Sequence, residues 1–267
     1  MVIQKALSII GVIGSILVHV PLNSVVLWGL SPCHSRDHSM QLCDLGHLDR
    51  AVLLFGGPYS NVDAVTALID RAKGLGIDPS HMISTGDTVA YCAAPNETCA
   101  LIRSLGIPTV AGNCEQQLAA GALDCGCGFE TGTACDLLSV GWFGFASSVI
   151  QDDHKTWMAS CPDMITLTHC GKRVAVLHGG LSDVSKFIWS TSPTETFMTE
   201  IDLIRDAVGD VDIVISGHSG IAFERYVNGV HWINAGVIGM PPNDGRQTTQ
   251  FVVLDQAQLR FHELSYD

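Results

Sequence analysis

Positive charge is scarce in this chain: 14 Lys and Arg stand against 27 Asp and Glu in 267 residues, a formal charge of −13. A surface of that sign repels polyanions, and no stretch clusters Lys and Arg with interleaved aromatics, so no nucleic-acid partner is expected. Charged residues are only 15% of the sequence and hydrophobic ones 47%, which excludes a disordered chain and fits one large or two small globular domains. None of the ten cysteines forms a Cys-x-x-Cys pair, and none has Arg six positions later. Paired zinc knuckles and the phosphate-cradling loop of a cysteine nucleophile are therefore both missing. A Gly-x-Ser-x-Gly elbow, a P-loop and internal repeats are also lacking.

Long apolar runs are lacking too. Residues 6–30 carry no formally charged side chain and follow Lys5, but the best run, Leu7 to Val20, holds two glycines and His19, stops at Pro21, and resumes only after Asn23. Each piece falls short of the roughly 18–20 continuous apolar residues a membrane helix needs. Polar residues 31–39 read as a linker. The expected division is an apolar extension and linker over residues 1–45 and a folded domain over 46–267. A cytoplasmic location is expected, with membrane association or export through residues 6–30 as the alternative.

What is present is regular punctuation. Residues 51–55 are a short apolar run ending in Gly56-Gly57-Pro58, and Val62, Val65, Leu68 and Ile69 follow at helical spacing. The strand–loop–helix unit recurs as residues 82–84, the loop at Gly86-Asp87 and a helix near 95–105, with 108–111 as the next strand. Alternation of this kind predicts parallel pairing. The second half predicts a hairpin of 164–169 and 173–177, a helix over 194–208, and short strands at 212–216, 223–227, 231–234, 250–254 and 259–264. The expected fold is α/β, two sheets with helices outside, each sheet fed mainly by one half of the chain.

In such folds ligands gather at the carboxyl ends of strands. The residues there are Gly57 and Tyr59, Asp87, Asn113 and Cys114, His178, and His218. Asp, Asn and two His form a mixed nitrogen and oxygen donor set suited to a divalent metal. A lone Asp after Gly is ordinarily a turn residue, but four donors in order at strand ends point to a centre.

The order of these elements resembles the calcineurin-like metallophosphoesterase family, especially its compact phosphodiesterase branch. The resemblance runs through most of residues 50–245. It is carried by Gly56-Gly57-Pro58-Tyr59-Ser60-Asn61, Gly86-Asp87, Gly112-Asn113-Cys114-Glu115, His178-Gly179 and Gly217-His218-Ser219-Gly220. Asn234-Ala235-Gly236-Val237-Ile238-Gly239 with Asn243-Asp244-Gly245 is similar to the family's closing element. The resemblance implies a four-layer αββα sandwich of two mixed sheets flanked by helices, and hydrolysis of a phosphomonoester or phosphodiester by metal-activated water. The expected partner is a small phosphorylated substrate.

Departures from the family pattern matter as much. Its two metal sites share the Gly-Asp carboxylate, and the remaining first-site ligands are replaced here by Gly57, Tyr59 and Gly220. The second set matches as Asp87, Asn113, His178 and His218, so one divalent ion (Mn, Zn or Fe) is expected in place of two. Cys114 stands where the family has its catalytic His, and is expected beside the reacting phosphate as acid or extra ligand. Asn61 is a candidate for positioning substrate. Tyr59 either donates to phosphate or fills the vacated space.

Cys125, Cys127 and Cys135 fall in a glycine-rich segment just after the third motif, and are candidate extra thiol ligands. The alternatives are buried free thiols or disulfides. Two rival functions stay open: a binding or regulatory module that kept the fold without turnover, and a thiol-bearing metal or redox sensor.

Overall fold

A computed structural model describes residues 40–243 and 245–267. The strands are β1 (Leu42–His47), β2 (Val52–Phe55), β3 (Met82–Ser84), β4 (Met164–His169), β5 (Lys172–Leu177), β6 (Ile213–Ser216), β7 (Phe223–Val227), β8 (Val230–Asn234), β9 (Thr249–Asp255) and β10 (Gln258–Leu264). The helices are α1 (Val62–Gly74), α2 (Pro95–Ser104), α3 (Asn113–Ala120), α4 (Ala134–Val149), α5 (Asp152–Ser160) and α6 (Thr194–Val208).

Two mixed sheets result, one in the order β1-β4-β5-β6-β8-β7 and one in the order β10-β9-β2-β3. The period of two in each strand explains the layering. In β2, Val52 and Leu54 face β-sheet residues such as Ile165, Val176 and Ile215 across the sandwich, while Leu53 and Phe55 face outward onto Val65 and Leu68 of α1. The six-stranded sheet repeats the device, with Leu177, Val214 and Trp232 packing on Phe197, Ile201 and Ile204 of α6. Helices therefore cover the outer face of each sheet, giving the αββα order.

Parallel pairing of β2 with β3 and of β5 with β6 bears out the alternating pattern. Three expectations need correction. The sheets are not divided by halves of the chain, because β9 pairs antiparallel with β2 and carries the C-terminal hairpin into the smaller sheet. Residues 108–111 make only one bridge, Ser84 with Thr109. Pro108 has no N–H to give a ladder, and Ala111 instead donates to Pro162 O at 2.8 Å. The strand β1 spans the expected boundary at residues 45 and 46; its parallel pairing with β4 makes it part of the sheet. Residues 6–30 lie outside the described residues. Among those described, no helix is long and apolar enough to cross a membrane.

Candidate metal centre

Strands β2 and β3 of one sheet and β5 and β6 of the other end at the same edge of the sandwich. The loops that follow bring Asp87, Asn113, His178 and His218 together although 131 positions separate the first from the last. His178 Nε2 lies 3.1 Å from Asn113 Oδ1, 3.0 Å from His218 Nδ1 and 3.4 Å from Asp87 Oδ2. All four side chains are buried.

The partners around this cluster decide what it can hold. His178 Nδ1 is 2.6 Å from Thr85 O, so Nδ1 carries the hydrogen and Nε2 of the neutral ring presents a lone pair. Asn113 Nδ2 donates to Cys125 O at 2.9 Å, which turns its carbonyl oxygen inward. A carboxylate oxygen, an amide oxygen and two ring nitrogens thus face one another. Acceptors so crowded repel unless a proton or a cation lies among them. Nitrogen and oxygen donors in this mixture fit a divalent transition metal. The ligand atoms of Asp87, His178 and His218 all fall within 4.8 Å of one another, and this cluster includes no thiol.

Ionisation follows the same geometry. Burial opposes the charge on Asp87, but His178, His218 and a hydrogen bond from Cys114 outweigh it and hold the carboxyl at about 2. Burial likewise opposes charge on His178, yet Asp87, the Thr85 carbonyl and Glu115 raise it above the ordinary histidine value. His218 is pushed down to about 4 by burial and by its neighbour His178. The cluster thus favours a positive charge at one point, the place a metal would take.

Local backbone is bent to serve it. Asp87 and His218 both adopt left-handed conformations, with φ 58° and 51°, an arrangement tolerated where surrounding contacts over-determine it. Glu115 supplies those contacts for Asp87. Its buried carboxylate accepts from the amides of Asp87 at 2.9 Å, Thr88 at 2.7 Å and Gly112 at 2.9 Å. Gly112 has to be glycine here, because a Cβ would stand 2.5 Å from Asp87 Oδ1 and 2.8 Å from Glu115 Oε2. The role of Glu115 was missed in the sequence, although an acid three residues after Gly112 at a helix start is a capping signature.

The space next to Asp87 is filled. At Gly57, φ is +41° and a Cβ would lie 2.6 Å from Tyr59 Cζ and 2.6 Å from Val237 Cγ1. Tyr59 and Val237 pack with Ala90 and Cys114 in one apolar cluster. Tyr59 therefore takes the room that a side chain at position 57 would need.

Several candidates are placed differently from expectation. Asn61 caps α1, accepting from Ala64 N at 3.0 Å and donating to Gly239 O at 2.9 Å, so both ends of its amide are spent on structure. Cys114 is buried and does not line the open cavity beside the cluster. Burial and the adjacent Asp87 push its thiol well above the ordinary cysteine value, leaving a neutral S–H directed at that carboxylate. Cys125 and Cys127 are joined in a disulfide, which removes both as thiolate ligands. Cys135 is an exposed free thiol at the cavity rim, outside the ligand cluster.

A family model described as the calcineurin-like phosphoesterase superfamily domain matches residues 51–258. The chain belongs to the calcineurin-like phosphoesterase superfamily. Metal-dependent phosphoester hydrolysis is the general chemistry of this superfamily, and divalent ions serve it. An uncharacterized protein of Methanocaldococcus jannaschii is 26% identical over 231 residues, covering 78% of this chain and 85% of that protein. The fold is shared with a hypothetical protein of Pyrococcus horikoshii (TM-score 0.66, 14% identity, covering 81% of this chain and 88% of that one). It is shared also with a metallophosphoesterase of Sphaerobacter thermophilus (TM-score 0.63, 17% identity, 82% and 90% covered).

Proposed function

We propose that this protein is a phosphoesterase that hydrolyses a phosphomonoester or phosphodiester at a centre holding one divalent ion. Asp87, Asn113, His178 and His218 are its ligands in this reading. The observation that carries it is the convergence of three acceptor atoms on a fourth, His178 Nε2, at 3.0 to 3.4 Å. A single ion is favoured because glycine offers no side-chain donor at positions 57 and 220, and Tyr59 and Val237 fill the space a side chain at 57 would need.

A divalent ion in that position would polarise a phosphoryl oxygen and acidify a water molecule. The chain's own residues set the rest. Asp87 supplies the negative charge among the four ligands, and Cys114 N holds its Oδ1 at 3.3 Å. Thr85 O fixes the His178 tautomer. Tyr59 lines the cavity, and burial with the nearby Asp87 raises its pKa well above the ordinary phenol value. Its hydroxyl therefore stays protonated and can donate to a phosphoryl oxygen.

Hydrolysis of bis(4-nitrophenyl) phosphate and 4-nitrophenyl phosphate with added Mn2+, Zn2+ or Fe2+, before and after chelation, tests the reading. Metal-dependent release of nitrophenol that Asp87→Ala and His178→Ala abolish is the expected result. Full activity in chelator would defeat it. The same filled first site also favours a second reading, a module that binds without turnover; a retained ion with no hydrolysis of either ester would select it.

A further inference from the structure

Beside the cluster opens a cavity of about 370 Å3 whose lining contains Asp87, Asn113 and His218. This falls in the range of roughly 300–1,000 Å3 usual for small-molecule sites. Its most unusual feature is a set of aligned rings. Phe187 lies 4.4 Å from the His218 ring, Trp189 is parallel to Phe187 within 3° at 5.5 Å, and Phe129 stacks on Phe187 at 5.9 Å. Phe187 and Trp189 belong to none of the apolar clusters that hold the fold together. Both line the cavity, and Trp189 at the end of the stack is 38% exposed.

The loop is built to present them. Phe187 and Trp189 flank Ile188, which is only 2% exposed, and both of their rings reach the cavity lining in parallel orientation. Ser219 Oγ donates to Ile188 O at 2.9 Å and Trp189 N donates to Ser192 Oγ at 2.9 Å. Upstream, Glu200 of α6 accepts from Leu181 N at 2.7 Å and Ser182 N at 3.0 Å. A loop backbone held in this way, with its rings stacked on one another, lowers the ordering cost of binding a ligand.

Charge narrows the ligand further. Among the described residues lining the cavity there is no Lys or Arg. Lys186, the basic residue adjoining Phe187, is turned to Glu200 at 2.6 Å. A divalent ion balanced by Asp87 leaves one positive charge to be met, which suits a monoanion; a dianion would leave one negative charge facing Asp87 without a partner.

Resting on the phosphoesterase reading, we propose that Phe129, Phe187 and Trp189 form a subsite for a flat aromatic ring, and that the substrate is a monoanionic phosphodiester bearing such a ring. The test uses three probes without an ester bond on the Mn2+-loaded full chain, followed by calorimetric titration. Diphenylphosphinate has rings and one charge, dimethylphosphinate has the charge alone, and phenylphosphonate has a ring and two charges. Diphenylphosphinate is expected to bind most tightly. Trp189→Ala should weaken it roughly tenfold, the size of an aromatic stacking contribution, Trp189→Phe should restore most of that, and dimethylphosphinate should bind both variants alike. Equal or tighter binding of either other probe, no effect of Trp189→Ala, or no binding of any of the three overturns the proposal. Phosphinates cannot be hydrolysed, so ring preference is read independently of turnover. A protein that prefers diphenylphosphinate but leaves bis(4-nitrophenyl) phosphate intact would defeat the hydrolase reading alone, and one that cleaves the diester without ring preference would defeat this inference alone.

Discussion

Replacing Glu115 by glutamine probes how the centre is held without touching a ligand. Its carboxylate receives three backbone N–H groups, with Asp87 N and Gly112 N on Oε2 and Thr88 N on Oε1. A glutamine can keep its oxygen on the shared pair, but its NH2 then points at the Thr88 amide, donor against donor. One bond to a charged acceptor is lost, worth about 1.5–3 kcal/mol, and the other two weaken to the neutral level of about 0.5–1.5 kcal/mol each. An opposing effect is present, since burial and the charge on Asp87 already raise the Glu115 pKa, and the substitution relieves that repulsion. The net expectation is a loss of about 2–4 kcal/mol in unfolding free energy. Urea unfolding in chelator measures it, free of metal linkage. Because the same bonds hold Asp87 in its left-handed conformation, Mn2+ affinity should also fall, by about 10- to 100-fold, as for other groups that orient ligands. An unchanged urea midpoint together with an unchanged metal isotherm would refute the reasoning.

Asn61→Ala should cost about 1 kcal/mol through loss of the α1 cap while leaving the KM for a diester unchanged; a raised KM with unaltered stability would return Asn61 to the substrate. Gly57→Asp should not create a second metal site, because its Cβ meets Tyr59 and Val237 at 2.6 Å, and should destabilise by about 1–3 kcal/mol; adding Tyr59→Ala should recover part of that in a thermal melt. Burial works against ionisation of Glu200, but Lys186 and Ser182 outweigh it and hold its pKa below the ordinary glutamate value. A depressed carboxyl contributes stability at pH values above its unfolded pKa and loses it as pH falls through the folded one. Glu200→Gln should therefore narrow the stability difference from the parent below about pH 4.5, as denaturant midpoints across pH 3–7 would reveal; a difference that grows on acidification would contradict it.

The sequence disclosed more of the centre than of its support. Asp87, Asn113, His178 and His218 were legible because each follows a short apolar run beside a glycine, and for Asp87, His178 and His218 that run folds as a strand. Glu115 was less visible, since its bonds to Asp87 and Thr88 span 28 and 27 positions and no local pattern announces them. The ring wall was hidden for a similar reason, because Phe129 and Phe187 meet only through tertiary structure. In the fold, β2 and α1 announce themselves by clean periodicity. Helix α4 does not: Leu137, Leu138 and Val140 are exposed while Phe143 is buried, so apolar residues mark no single face. Strand β1 alternates only weakly, with no fully buried residue, and its partner β4 begins more than a hundred positions later.

Metal stoichiometry of the purified full chain tests the central claim most directly. Equilibrium dialysis against Mn2+ or Zn2+, followed by elemental analysis, should give one ion per chain. Asp87→Ala and His178→Ala should each remove it while circular dichroism shows the fold retained. Two ions per chain, or an ion that survives both substitutions in folded protein, would contradict the account.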